Sequence, residues 1–503
     1  MSVGIAMEPL PLNPNASFSL ALGNYLLQQA DAPLHQRSQP RGRSAFGSAL
    51  AATFITLMAL LSGCGTLPTI VPDMATRPVR AVQFEGGRGP LSAEQSRTIL
   101  ARLSGGKDTN ILDRHLALEA AIVGTPLMVG NKVVLLQDGS ATYKAMLTAI
   151  QNAKQHINME TYIIEDDEVG NKFADVLIKK QAQGVQVNLI YDSVGAINTP
   201  KTFFKRLSDS GINVLEYNPI NPLNLKKGWS VNQRDHRKLL IVDGKTAFLG
   251  GINVSSVYSG GSVAQRAGTR PEEKAPWRDT HMQVDGPVAG EFQKLFLETW
   301  KKQKGEPLAP RNYLPQIAAQ GKEIVRAIGS SPDEPYSLIY ATLISAINSA
   351  ESAVYLTNAY FVPDPQLLAA LKDAAQRRVD VKIILPSHTD FWLVFHAGRS
   401  YYDELLEAGV KIFERRDALL HSKTALIDGV WSTVGSTNLD WRSFLHNDEV
   451  NAVILGQEFG AQMQAMFDKD LAASNAITLE QWRQRSIGIR LKEMTARLWQ
   501  RAL

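Results

Sequence analysis

Residues 233–255 read QRDHRKLLIVDGKTAFLGGINVS, and residues 419–438 read LLHSKTALIDGVWSTVGSTN. Each run has His-x-Lys, four residues, Asp, six more residues, then Gly-[Gly/Ser]-x-Asn. In the first these are His236, Lys238, Asp243, Gly250 and Asn253; in the second they are His421, Lys423, Asp428, Gly435 and Asn438. One such spacing is weak evidence, but two with Gly and Asn at matching offsets are a repeat. The residues between Lys and Asp are mostly apolar, which predicts a buried strand, and period-2 alternation puts His and Lys on one face of it. A second strand at 246–249 and 431–434 can then bring Asn alongside. A lysine supplies a point charge for phosphate oxygens and an asparagine supplies amide donors, so the cluster has the chemistry of a phosphate site.

The similarity extends outward from the two motifs. Residues 158–192 and 355–386 both run as apolar strand, loop with acids, amphipathic helix and β-branched strand. GINVLE from Gly211 and GVKIFE from Gly409 supply a later matching strand. Alternating strands and helices predict an α/β fold, a mixed sheet flanked by helices. The expected organisation is two tandem α/β domains at 130–300 and 336–470, with an active site of pseudo-twofold symmetry at their interface. A linker at 301–335 carries the Gly/Pro-rich boundary signals KKQKGEPLAP and GSSPDEP. Residues 64–129 are a lead-in with one helix near 111–122, and 471–503 form a helical tail.

The amino terminus reads as an address. Residues 1–40 lack periodicity; Arg41 and Arg43 precede an uncharged apolar stretch at 45–61, and Leu-Ser-Gly-Cys64 closes it. A basic region, a short apolar region and small residues before a boundary describe an export signal. This box resembles that of bacterial lipoproteins, which implies residues 1–63 as extension plus signal and Cys64 as the lipidated first mature residue. Gly65 after it implies the outer membrane in a Gram-negative host. The alternative is an uncleaved single-span anchor. Either places the body in the bacterial envelope, outside the cytoplasm and close to lipid.

The composition narrows the classes. The chain has 503 residues, 44% hydrophobic and 20% charged, which excludes a disordered or collagenous protein. One cysteine excludes an intramolecular disulfide and a multi-cysteine zinc site. A net charge of +4, with no concentrated basic run beside the motifs, argues against a nucleic-acid partner.

The doubled motif resembles the phospholipase D superfamily over roughly residues 115–500. The phrases PLMVGNKVVLLQDG (126–139), PWRDTHMQVDGPV (276–288), AYFVPD (359–364), GSTNLDWRSFLHNDEVNAVI (435–454) and LEQWRQR (479–485) resemble bacterial cardiolipin synthases. Two features depart from that pattern: Ala359 stands where Pro is commoner, and a lipoprotein-type start replaces the usual membrane helices. The resemblance implies phosphatidyl transfer with phosphatidylglycerol as the favoured substrate, at a membrane surface and with no cofactor. It implies His236 as nucleophile, forming a phosphohistidine, and His421 as the proton donor to the leaving alcohol; the two roles can be exchanged. Lys238, Lys423, Asn253 and Asn438 would hold the phosphate oxygens, with a hydroxyl from Ser255. Glu449 in the second copy and Asp279 in the first would be orienting carboxylates. Asp243 and Asp428 complete the catalytic motif, and a structural role pairing away from the phosphate is expected of them. No metal is implied, because the histidines are spent on phosphorus. His281 and His446, near the orienting acids, are read as structural.

Two apolar features keep two readings each. Residues 482–503 carry Arg483, Arg485, Arg490, Lys492, Arg497 and Arg501 against Glu493, with Ile489, Leu491, Leu498 and Trp499 interspersed. This suits a basic amphipathic helix on anionic lipid, or a docking helix with a solvated face. FWLVF at 391–395 suits a lipid-contacting lip or a buried helix start. Beside phosphatidyl transfer stand hydrolysis by the same site, a nuclease of the same fold, and a non-catalytic envelope binding module. The sequence names no protein partner.

Overall fold

Runs of Val, Ile and Leu bounded by Gly, Asn and Asp become the strands of two sheets, as their branched side chains favour. The structure is a computed structural model and describes residues 81–104, 110–220, 232–259 and 277–500. Cys64 and the export-signal segment lie outside the described residues. In the first copy the strands are Leu127–Gln137, His156–Thr161, Gln186–Asp192, Asn213–Tyr217, Lys238–Val242, Thr246–Gly250 and Thr280–Asp285. In the second they are Glu323–Ser330, Ala353–Asn358, Asp380–Pro386, Lys411–Arg415, Lys423–Ile427, Trp431–Gly435 and Asn447–Leu455. Numbered within each copy, both sheets have the order fourth, third, second, fifth, sixth, seventh, first. The second, third and fourth strands are parallel, and the remaining neighbours are antiparallel. The fold is therefore two tandem α/β domains of one topology, each a mixed sheet flanked by helices.

The parallel strands need helical crossovers. Glu168–Ala182 and Pro365–Gln376 fill the equivalent connection in the two copies. The acids noted in the preceding loops start them. Asp167 accepts from Gly170 N at 2.9 Å, and Asp364 accepts from Gln366 N and Leu367 N at 3.1 and 3.0 Å, satisfying donors that a helix start leaves unpaired.

The first strands of the two copies pair antiparallel, Glu323 opposite Asn131 and Val325 opposite Met128, and join the sheets into one. Each copy has its own apolar core, and a third core lies between them. Phe292 and Phe296 from the helix Ala289–Lys302 meet Phe459 and Met463 from Gln457–Ala472 over strand residues of both sheets.

Two expected boundaries are corrected. Residues 301–335 are not wholly a linker: EIVRAIGS, enclosed by the Gly/Pro signals, is the second copy's first strand, Glu323–Ser330. Similarly, the first copy's strand begins at Leu127, inside the expected lead-in. The tail likewise opens with a strand, Ser474–Ile477, paired with Lys411–Arg415 at the sheet edge. The helix near 111–122 is a π turn, Ile111–His115, followed by Leu116–Ile122. Among the described residues, no helix is long and apolar enough to cross a membrane.

Candidate active site

The motif strands begin at the lysines, Lys238–Val242 and Lys423–Ile427, so each histidine precedes its strand. Two short parallel ribbons deliver the histidines instead. Arg234–Asp235 pairs with Asn447 and Asp448 of the other copy, and Leu419–Leu420 pairs with Trp277 and Arg278. The next backbone bond in each is His236 N to Asp448 O at 2.9 Å and His421 N to Arg278 O at 2.8 Å. The residue after each partner is a carboxylate. Hence His236 Nδ1 lies 3.0 Å from Glu449 Oε1, and His421 Nδ1 lies 2.8 Å from Asp279 Oδ2. Each carboxylate thus faces the histidine of the opposite copy, a crossing that spacing within one copy does not reveal.

A carboxylate on Nδ1 fixes that nitrogen as the proton carrier and leaves Nε2 with its lone pair. Each lysine folds back on its histidine's main chain: Lys238 Nζ donates to His236 O at 2.6 Å, and Lys423 Nζ donates to His421 O. All four side chains are buried. Burial, then Lys423, lowers His421 to about 4 against the pull of Asp279. Burial, then Lys238 and Lys423, hold His236 well below its usual value. Both lysines therefore act on His236, one from each copy. Burial also brings Lys238 down to about 7 and Lys423 to about 8, and pushes Glu449 up to about 7. Two buried lysines, the second of which lowers the first, favour an anion, whose charge would offset their burial and repulsion.

The remaining predicted residues divide. Asp243 accepts from the backbone N–H groups of Lys154, Gln155 and His156 at 2.7–3.0 Å. Asp428 does the same for Glu351, Ser352 and Ala353 at 2.8–2.9 Å. Both stand apart from the histidines and clamp the start of the second strand of their copy. Asn253 Nδ2 donates to Tyr258 OH at 2.9 Å, and its Oδ1 accepts from Ile163 N at 3.2 Å. Ser255 Oγ faces Glu165 and Asp167, and the two carboxylates compete for its one proton. Asn438 is buried, with its Oδ1 unpaired. His281 is buried with neither ring nitrogen hydrogen-bonded, and His446 is half-buried. Phe391 to Leu393 are half-buried and Val394 is buried at the start of the helix Trp392–Arg399.

Sequence reasoning missed several neighbours. Tyr162 packs edge-on to His236 at 5.1 Å between centroids; Trp277, Tyr258 and Tyr360 surround His421 at 5.2, 5.8 and 6.2 Å. Arg237, inside the first motif, donates through Nε to Glu449 O at 3.1 Å and through Nη1 to Thr299 Oγ1 at 2.8 Å, bracing the carboxylate strand. Ser436 donates to Glu449, whereas a Cβ at its counterpart Gly251 would collide with the Asp279 carboxylate. The Gly-[Gly/Ser] difference between the motifs was the available signal. Among the described residues, no group of three or more His, Cys, Asp or Glu side chains is placed to hold a metal ion.

Comparison with known proteins places this architecture. The family described as cardiolipin synthase, PLD-like domain, matches residues 146–258 and 343–471. Cardiolipin synthase of Alkalihalophilus pseudofirmus is 35% identical over 375 residues, covering 74% of this chain and 72% of that protein. Cardiolipin synthase of a Geobacillus species is 35% identical over 385 residues, covering 76% and 74%. The fold is shared with the crystal structure of phosphatidylserine synthase from Haemophilus influenzae, at 13% identity and a TM-score of 0.57, over 74% of this chain and 95% of that one. Two phospholipase D-like domains closing on one site define an enzyme of the phosphatidyltransferase and phospholipase D type. The chain belongs to the cardiolipin synthase family.

Proposed function

We propose that this enzyme moves a phosphatidyl group from one phosphatidylglycerol to the hydroxyl of a second, giving cardiolipin and glycerol. The observation that carries the chemistry is the pair of crossed contacts, His236 with Glu449 and His421 with Asp279, flanked by two buried lysines. The relatives named cardiolipin synthase support the substrate.

His236 Nε2 attacks phosphorus and forms the N–P bond as the P–O bond to glycerol breaks. His421 gives its Nε2 proton to the departing alkoxide. The incoming hydroxyl then returns a proton to His421 and attacks phosphorus, breaking the N–P bond. Lys238 and Lys423 hold the non-bridging oxygens, and the bound anion raises His421 from its depressed value so that it can carry the proton. Asn438 supplies a further amide. Histidine provides nucleophile and proton relay without a metal. The body works at a membrane surface in the bacterial envelope, tethered through lipid on Cys64.

Mass spectrometry of lipids after incubation of the detergent-solubilised chain with phosphatidylglycerol tests the reading. Cardiolipin plus glycerol is expected; phosphatidic acid alone would make the enzyme a hydrolase, and turnover of nucleic acid instead would overturn the lipid substrate.

A further inference from the structure

Most of the large apolar side chains exposed among the described residues are concentrated in one short stretch. Of the nine, six fall between Ile487 and Trp499. The helix Ile487–Arg497 buries Ala496 and Glu493 against the molecule, packing on the helix Trp392–Arg399. Its outer face carries Ile487, Leu491 and Met494, 76%, 53% and 61% exposed, and Leu498 continues the line at 82%. The spacing i, i+4, i+7, i+11 puts all four on one stripe. This inverts a docking helix with a solvated face: the apolar stripe faces outward.

Charge separates in the same way. Glu493, the helix's one acid, is turned inward, 2.8 Å from Arg485 Nε. Arg490 and Lys492 are exposed, and Arg497 is partly so. The outward surface is therefore apolar and flanked by cations, the combination that lies in the headgroup boundary of an anionic bilayer. It also connects to the site. Phe391, at the start of the underlying helix, is 6.5 Å from Tyr360, whose ring is 6.2 Å from that of His421.

We infer that the stripe Ile487, Leu491, Met494 and Leu498 seats the enzyme on an anionic lipid surface and holds the His421 side of the site towards it. This rests on the reading that the substrate is a membrane phospholipid. The test uses the full chain and phosphatidylcholine vesicles with and without phosphatidylglycerol. Hydrogen–deuterium exchange across residues 486–499 is expected to slow with the anionic vesicles. Replacing all four residues by Gln is expected to cut turnover of phosphatidylglycerol in vesicles by at least about tenfold, while turnover of a soluble short-chain phosphatidylglycerol stays within about twofold. Unaltered exchange, or equal losses on both substrates, would overturn the inference. So would conversion of a dimer to a monomer by the variant, which would make a second copy the occupant. If the unaltered chain turns over neither lipid, the proposed reaction falls, and the exchange measurement still decides the docking surface.

Discussion

His236 and His421 sit in environments alike in plan and different in detail. Glu449 takes hydrogen bonds from Ser436 and Asn447 as well as facing His236, whereas Asp279 accepts from Thr280 N and faces His421. Both acids fix the histidine tautomer, so Glu449→Gln and Asp279→Asn keep the shape but remove the charge that supports an imidazolium. Each is expected to lower kcat by roughly a hundredfold to ten-thousandfold with little change in substrate KM; a fall in KM-type binding alone would contradict an orienting role. The lysines set a pH dependence. Burial lowers Lys238 to about 7 and Lys423 to about 8 in the free site, and a bound anion favours their charged forms. Below pH 7 both are already protonated and binding needs no proton. Above 8 it must take protons up, so affinity falls as pH rises. The inhibition constant of a soluble dialkyl phosphodiester should therefore be flat below about pH 7, weaken by up to about tenfold per unit between 7 and 8, and by up to about a hundredfold per unit above 8. A flat profile to pH 9 would contradict lysine binding.

At the scale of elements, the last residue of each motif stabilises the fold. Asp243 and Asp428 hold φ at 53° and 50° and each gathers three backbone N–H groups at the start of a neighbouring strand. Asp243→Ala leaves those donors unsatisfied and places Ala in a left-handed conformation, so a loss of about 2–4 kcal/mol is expected in urea unfolding. A change below about 0.5 kcal/mol would show that water replaces the clamp. The strand–helix–strand runs were legible in the sequence because acids that cap helices and β-branched runs recur in both copies. The strand Glu323–Ser330 falls within the expected linker because Gly/Pro signals precede it and overlap its end. The ribbons Arg234–Asp235 and Leu419–Leu420 are too short to show any period, and their registers against Asp448 and Arg278 are set by tertiary packing. The sequence therefore singled out His236, His421, Glu449 and Asp279 and missed that each histidine faces the other copy's acid.

At the scale of the molecule, the copies do not stand alone. Their first strands pair, and Phe292, Phe296, Phe459 and Met463 share one core between the sheets. One cooperative unfolding transition is expected for the body, and Phe296→Ala should destabilise it by about 3–5 kcal/mol without splitting it in two. Two resolved transitions would contradict the shared core. In the proposed reaction the same closure would bring a histidine and a lysine from each copy to one phosphorus, and the covalent step is the most specific consequence of that proposal. The direct measurement is rapid alkaline denaturation of the enzyme during turnover of phosphatidylglycerol, followed by mass spectrometry of its peptides. The account predicts a phosphatidyl group on the peptide carrying His236, absent from His236→Ala. An adduct on His421, or steady turnover by the His236→Ala variant, would contradict it.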